Sequence, residues 1–87
     1  MLLKKKNIVI TGSGRGIGKA IALACAKEGA NIGLTARTVH ELDLVRDQIE
    51  KLNLGVKVVV YEGDITNFDQ VKIIFKHKFN FIKFQLL

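Results

Sequence analysis

Glycines dominate a short run near the amino terminus, which reads Thr11-Gly12-Ser13-Gly14-Arg15-Gly16-Ile17-Gly18. A phosphate needs hydrogen-bond donors with no side chains in the way, and the first turn of a helix supplies free N–H groups with about half a unit of positive charge. In this turn Gly12 permits a tight bend, Gly16 allows the backbone to approach a pyrophosphate, and Gly18 allows the helix to pack closely against the preceding strand. The run therefore predicts a binding site for the diphosphate of a dinucleotide.

The spacing of the glycines separates this turn from two other phosphate-binding patterns. The pattern G-x-G-x-x-G, begun at Gly12, would need glycine where Ile17 stands. The P-loop pattern G-x-x-x-x-G-K-[ST] fails because Ser13 lies at its first glycine position and Ala20 follows Lys19. A purely structural link between a strand and a helix is the remaining alternative. Such a link does not need four glycines, which cost chain entropy.

Alternating strands and helices position this turn. Apolar, β-branched runs predict strands at residues 7–11, 31–36 and 56–61. Apolar residues at helical spacing predict helices at residues 16–27, from Thr38 to just before Gly55, and from Phe68 onward. The order β-α-β-α-β-α with short connections indicates an α/β fold. We expect a partial Rossmann-like, doubly wound parallel sheet of three strands, or four if the tail adds one.

Local signals refine the predicted helices. In the first helix, apolar residues recur at helical spacing, namely Ile17, Ile21 and Ala24. Gly29 stands where a helix commonly ends in a left-handed residue. Thr38 and Glu41 predict a capping box at the start of the second helix. The predicted inward face of that helix consists of Leu42, Val45, Ile49 and Leu52.

The glycine turn resembles the cofactor turn of the short-chain dehydrogenase/reductase family, in which T-G-x-x-x-G-I-G follows an amino-terminal strand. The resemblance covers residues 6 to about 76 and includes Thr35-Ala36-Arg37-Thr38 and Gly63-Asp64-Ile65-Thr66. It implies an oxidoreductase that transfers hydride between a nicotinamide cofactor and a carbonyl or alcohol. It also implies that Asp64 hydrogen-bonds the adenine amino group, that Ile65 adds backbone or packing contacts, and that Ser13 contacts a ribose. Alternatively, Asp64 caps the next helix.

The end of the second strand predicts which nicotinamide cofactor binds. An acid there accepts a hydrogen bond from the 2′-hydroxyl of NAD, whereas an arginine accommodates the 2′-phosphate of NADP. No acid lies between Glu28 and Glu41. Ala36 stands at the expected position, Arg37 follows it, and Arg15 in the glycine turn can close on the same phosphate. We therefore predict NADP(H) in preference to NAD(H); alternatively, Arg37 is a solvated residue at a strand exit.

No catalytic residue is predicted in this chain. In the resembled family the proton donor is a Tyr-x-x-x-Lys pair, assisted by a serine and an upstream asparagine. Here the one tyrosine, Tyr61, is followed four residues later by Ile65 and falls in a predicted strand. His40 and His77 lack the spacing of metal ligands. The predicted site therefore consists of cofactor-binding residues: Gly12, Ser13, Gly14, Arg15, Gly16, Ile17, Gly18, Arg37, Asp64 and Ile65.

Length and composition limit the remaining possibilities. The 87 residues allow one domain, and 48% hydrophobic with 25% charged residues is a globular composition. The lone Cys25, the lack of a secretory signal and the lack of an apolar run of about 18–20 residues predict a cytoplasmic protein with no membrane partner. The chain has a net charge of +6, and its lysines are scattered except for Lys4-Lys5-Lys6 and a carboxyl-terminal group of Lys72, Lys76, Lys78 and Lys83. Without a nucleic-acid-binding motif, nucleic acid is not an expected partner.

Composition changes near the carboxyl terminus, where all five phenylalanines lie within residues 68–84 and no acid follows Asp69. We expect a dinucleotide-binding unit at residues 1–76 and a divergent basic and aromatic tail at 77–87, as truncation of a longer protein would produce. The favoured function is the NADP(H)-binding portion of an oxidoreductase, inactive alone. The alternative is a non-catalytic nucleotide-binding or regulatory module. Self-association is expected only of an intact relative.

Overall fold

Strands and helices alternate along the whole described chain. The computed structural model describes residues 2–12, 14, 16–63, 68–79 and 85–86. The elements are, in order, β1 (Asn7–Thr11), α1 (Gly16–Lys27), β2 (Asn31–Ala36), α2 (Val39–Lys51), β3 (Val58–Glu62), α3 (Phe68–Phe79) and β4 (Gln85–Leu86). The predicted α/β fold is confirmed. The third strand begins and ends later than predicted, and part of the tail forms a short fourth strand.

The four strands form one parallel sheet in the order β3-β2-β1-β4. Thr11 at the end of β1 pairs with Thr35, and Ala36 at the end of β2 pairs with Glu62, so these strands finish at the same edge. The chain adds β2 and β3 on one side of β1, whereas β4 lies on the other side. The strand order thus reverses next to β1, and in doubly wound sheets ligands bind at the carboxyl edge at such a switch point.

The core lies between the sheet and the helices α1 and α2. Its strand residues are almost inaccessible to solvent, namely Ile8, Ile10, Ile32 and Leu34. Helix α2 contributes the predicted inward residues Leu42, Val45 and Ile49, each at most 1% exposed. The fourth predicted residue, Leu52, is 44% exposed. It lies outside the core because the helix has already ended at Lys51 and Leu52 is its C-cap.

Helix α1 faces the sheet with small side chains. Ala22 and Ala26 are fully buried, whereas Ile17 is 81% exposed and Ala24 is also exposed. Of the apolar series Ile17, Ile21, Ala24, only Ile21 packs against the core, and it is partly buried. The series does not mark the fully buried face, because a helix this rich in alanine is apolar on several sides. Small residues allow the helix axis to approach the sheet closely. Gly29, as predicted, adopts a positive φ of 93° just after the helix.

Helix α3 covers the other face of the sheet. Side chains alternate between faces along a strand, so Val9 and Gly33 point away from the face that carries Ile8, Ile32 and Leu34. The fully buried ring of Phe75 lies over Gly33: a Cβ added there would be 2.8 Å from Phe75 Cε1 and 3.1 Å from Val9 Cγ2. Helices therefore lie on both faces, as in a doubly wound sheet.

Candidate functional site

The glycine turn leads directly from β1 into the first residue of α1. Gly12 has a φ of 60° and Gly16 has a φ of 61°, a region that side-chain-bearing residues rarely adopt. A Cβ built on either glycine would meet no atom within 4 Å, so open space lies in front of the backbone at both positions. The first turn of α1 also carries no acidic residue to neutralise the positive end of the helix dipole. These features suit an anion such as a diphosphate.

An exposed apolar side chain stands beside this opening. Ile17, the second residue of α1, is 81% exposed. Gly18 follows it, is half-buried, and lies one helical turn before the buried Ala22. The start of α1 thus offers a bare backbone for an anion and, next to it, an apolar surface for a ring.

Four predicted site residues fall outside the part of the chain that the structure describes. They are Ser13, Arg15, Asp64 and Ile65. Their predicted contacts with ribose, 2′-phosphate and adenine therefore stay predictions.

Gly14 contacts the second helix rather than open space. A Cβ added to it would lie 2.9 Å from Glu41 Cβ and 3.0 Å from Glu41 Oε2. A groove of about 470 Å³ between α1 and α2 begins at this contact, and its lining includes Lys19 and Lys51. The lining does not include Gly12, Gly16 or Arg37, so the groove runs beside the glycine turn. The position of Glu41 against Gly14 had no signal in the sequence.

Arg37 lies at the carboxyl edge, exposed, in the two-residue link between β2 and α2. Thr38 occupies the N-cap position of α2 with φ −119° and ψ 105°, but its side chain makes no capping hydrogen bond. The predicted capping box is wrong in this respect. A different N–H of this first turn, the backbone N–H of Val39, donates a 2.9 Å hydrogen bond to Oε2 of Glu62, at the tip of β3. Glu62 is a residue that the sequence analysis missed.

Two further side chains with reactive groups, those of Tyr61 and Cys25, are partly buried. Tyr61 is half-buried in β3, and its ring meets that of Phe75 edge-on with centroids 6.3 Å apart. Burial raises the pKa of the Cys25 thiol above its ordinary value of 9.0, so Cys25 is protonated at neutral pH. Within residues 2–12, 14, 16–63, 68–79 and 85–86, no three His, Cys, Asp or Glu side chains are grouped so as to hold a metal ion.

A membrane-spanning helix is absent from the described part of the chain, where each helix is too short or too polar to cross a bilayer.

A parallel sheet with helices on both faces, and a glycine turn opening a helix at the switch point, together define a dinucleotide-binding type of α/β fold.

Comparison with known proteins gives the family. The profile of the short chain dehydrogenase family matches residues 6–81, and the chain belongs to that family. Among curated relatives, 17-beta-hydroxysteroid dehydrogenase type 3 of Rattus norvegicus is 41% identical over 61 residues, which are 70% of this chain and 20% of that protein. The chain spans only 5% to 25% of the lengths of the first three curated relatives it matches.

Solved structures agree with this assignment. L-sorbose reductase from Gluconobacter frateurii, complexed with NADPH and L-sorbose, superposes with a TM-score of 0.79 and 37% identity, covering 91% of this chain and 32% of that one. An alcohol dehydrogenase from the archaeon Thermococcus sibiricus, complexed with 5-hydroxy-NADP, superposes with a TM-score of 0.71 and 35% identity, covering 86% of this chain and 32% of that one. The chain therefore has the oxidoreductase fold of its family.

Proposed function

We propose that this chain binds NADP(H) and forms the cofactor-binding portion of an oxidoreductase, with the nucleotide-binding unit in residues 1–76. The glycine turn holds the diphosphate, Arg37 takes the 2′-phosphate with Arg15, and Asp64 and Ile65 hold the adenine. The bound cofactor would supply hydride to, or accept it from, a carbonyl or alcohol in the intact oxidoreductase. The observation that carries the proposal is the uncovered backbone at Gly12 and Gly16, directly before a helix whose first turn has no acid.

Two further observations support the preference for NADP(H). Ala36 ends β2 where an acid would bind the 2′-hydroxyl of NAD, and the exposed Arg37 follows it at the same edge of the sheet. The two solved relatives described above were crystallised with NADPH and with 5-hydroxy-NADP. A charge-assisted hydrogen bond contributes about 1.5–3 kcal/mol. Because Arg37 is exposed, we expect its hydrogen bond to contribute near the lower end of this range, which corresponds to about a tenfold difference in affinity.

The test is a calorimetric titration of the chain with 2′-phospho-ADP-ribose and with ADP-ribose, which differ only in the 2′-phosphate. We expect saturable binding of both, with the phosphorylated probe bound about tenfold more tightly. Gly16→Val should abolish binding of both probes. Gly55→Val is the matched control, since Gly55 also has a positive φ, 73°, with open space around it but lies before β3, at the opposite edge. A wild-type chain that binds neither probe would overturn the proposal.

Arg37→Asp tests the specificity for the 2′-phosphate. The substitution should remove the preference for 2′-phospho-ADP-ribose while leaving ADP-ribose binding nearly unchanged. Lys4→Asp makes the same change of charge at an exposed position in the turn before β1, away from the carboxyl edge, and should leave the ratio of the two affinities as it is. An equal ratio in Arg37→Asp and wild type would show that Arg37 does not contact the phosphate.

A second candidate function is nucleotide binding without catalysis. It is favoured by the position of Tyr61, which is half-buried in β3 against Phe75 and has isoleucine, not lysine, four residues later. A reductase needs an acid within reach of the carbonyl oxygen as hydride arrives. Oxidation of NADPH by this chain in the presence of a panel of carbonyl compounds would refute the non-catalytic function, and the same panel without protein is its control.

A further inference from the structure

The link between β2 and α2, which carries Arg37, is held at both of its ends by the tip of β3. At one end Ala36 pairs with Glu62, and the N–H of Gly63 donates a 2.9 Å hydrogen bond to the carbonyl of Ala36. At the other end the N–H of Val39 donates its 2.9 Å hydrogen bond to Glu62 Oε2. Only two residues lie between these attachment points. The mobility of Arg37 and Thr38 therefore depends on whether the hydrogen bonds at Ala36 and at Val39 are both kept.

The side chain of Glu62 accepts a hydrogen bond from the first N–H of α2, that of Val39, which an N-cap side chain does not serve, because such caps accept from the second or third helical residue. The first N–H groups of a helix have no partner within the helix, and Thr38, at the N-cap, does not supply one through its side chain. A carboxylate is well suited to this place because it accepts hydrogen bonds and carries charge opposite to the helix dipole. Because this carboxylate comes from β3, it fixes α2 to the strand and not merely to its own preceding turn.

We propose that Glu62 is a positioning residue for the cofactor site, a role that rests on the proposed function: its carboxylate holds the Arg37–Thr38 link so that the Arg37 guanidinium stays where a 2′-phosphate binds. Glu62 sets how strongly the chain prefers phosphorylated dinucleotides without touching the phosphate. The hydrogen-bond acceptor, not the negative charge, is what matters, since a negative charge by itself would repel a phosphate.

Three substitutions separate the acceptor from the charge. Glu62→Ala removes both, Glu62→Gln keeps an acceptor oxygen at the same distance, and Glu62→Asp keeps the charge but shortens the side chain by one methylene. Glu50→Ala is the matched control, because Glu50 is an exposed acid at the far end of α2, where its carboxylate lies 3.9 Å from Arg46 Nε. Circular dichroism verifies that each variant is folded, and Glu62→Asp stands in for Glu62→Ala should the latter unfold.

The first readout is the ratio of dissociation constants for 2′-phospho-ADP-ribose and ADP-ribose. Glu62→Ala and Glu62→Asp should reduce the preference for the phosphorylated probe roughly two- to tenfold, the range expected for one lost hydrogen bond, while ADP-ribose affinity changes little. Glu62→Gln should keep the preference or increase it, because it keeps the acceptor and removes a charge that repels the phosphate, and Glu50→Ala should keep it. An unchanged or increased preference in Glu62→Ala, or an equal loss of affinity for both probes, overturns the positioning role.

The second readout does not involve nucleotide. Amide hydrogen exchange at Val39 should be faster in Glu62→Ala than in wild type and restored in Glu62→Gln. Unchanged protection of this amide in Glu62→Ala overturns the inference even where the wild-type chain discriminates between the two probes. A wild-type chain that binds neither probe overturns the proposed function, and the role of Glu62 in cofactor specificity with it.

Discussion

Glycine serves two different physical purposes within the one turn. At Gly12 and Gly16 the surroundings are open, and it is the positive φ that excludes other residues. At Gly14 the obstacle is a neighbouring atom, since Glu41 Cβ would lie 2.9 Å from an added Cβ. The carboxylate of Glu41 can rotate away, but its Cβ is fixed by the backbone of α2. The path of the turn therefore depends on where the second helix begins.

Gly14→Ala should destabilise the chain through this contact. Forcing an extra methyl group into a filled space costs about 1–3 kcal/mol. Glu41→Gly alone should cost about 1 kcal/mol, because glycine lowers helix propensity. In the double variant, Gly14→Ala should cost less than it does alone, because the Cβ it meets is gone. Urea unfolding of the four proteins measures this coupling, and costs that simply add would show that the two residues do not collide.

The sequence reveals the glycine turn because a positive φ and the start of a helix depend on a few consecutive residues. It does not reveal the contact of Glu41 with Gly14 or that of Glu62 with Val39, because each joins residues that only the folded sheet brings together. The capping box shows the difference. Thr38 and Glu41 have the correct local spacing, yet the Thr38 side chain makes no capping hydrogen bond. The N–H of Val39, which such a cap does not serve, has its acceptor on the next strand.

At the scale of elements, prediction succeeds where one face of a helix is clearly apolar. Leu42, Val45 and Ile49 stand out from a charged background in α2, and the structure buries all three. Helix α1 is different, because alanine and other apolar residues lie on several of its sides and one of the large ones, Ile17, is exposed. The face of α1 that packs against the sheet is the one whose small side chains allow the closest approach. The periodicity of apolar residues does not identify that face.

Helix α3 should depend strongly on one aromatic side chain. Phe75 is fully buried, lies over Gly33 and meets Tyr61 edge-on, so Phe75→Ala leaves a cavity on that face of the sheet. Replacement of a buried phenylalanine by alanine costs about 3–5 kcal/mol. Ile73→Ala, in the same helix but at a position 57% exposed, should change stability by no more than about 0.5 kcal/mol. Similar unfolding midpoints in urea for the two variants would contradict this packing of α3.

At the scale of the whole molecule, the alternation of elements predicted the parallel sheet but not the strand order. The order β3-β2-β1-β4 follows from β4 pairing with β1, through Ile8 with Gln85 and Val9 with Leu86. That pairing places the glycine turn at the reversal point of the sheet. It involves residues far apart in the chain and a tail that carries no clear strand pattern, so local signals could not specify it.

Binding of the proposed dinucleotide should raise the thermal stability of this small, positively charged chain measurably. A chain of 87 residues buries a limited core, and a net charge of +6 adds repulsion within it. At a concentration of 100 times Kd, a ligand adds about 2.7 kcal/mol, or roughly 10–20 °C in Tm for a domain of this size. We expect this shift with 2′-phospho-ADP-ribose in a thermal scan, and none in Gly16→Val. Sulfate at matched ionic strength, added to wild type and to Gly16→Val, distinguishes the alternative: an equal shift with sulfate that persists in Gly16→Val would mean that polyvalent anions stabilise the chain by screening its charge and not by binding at the glycine turn.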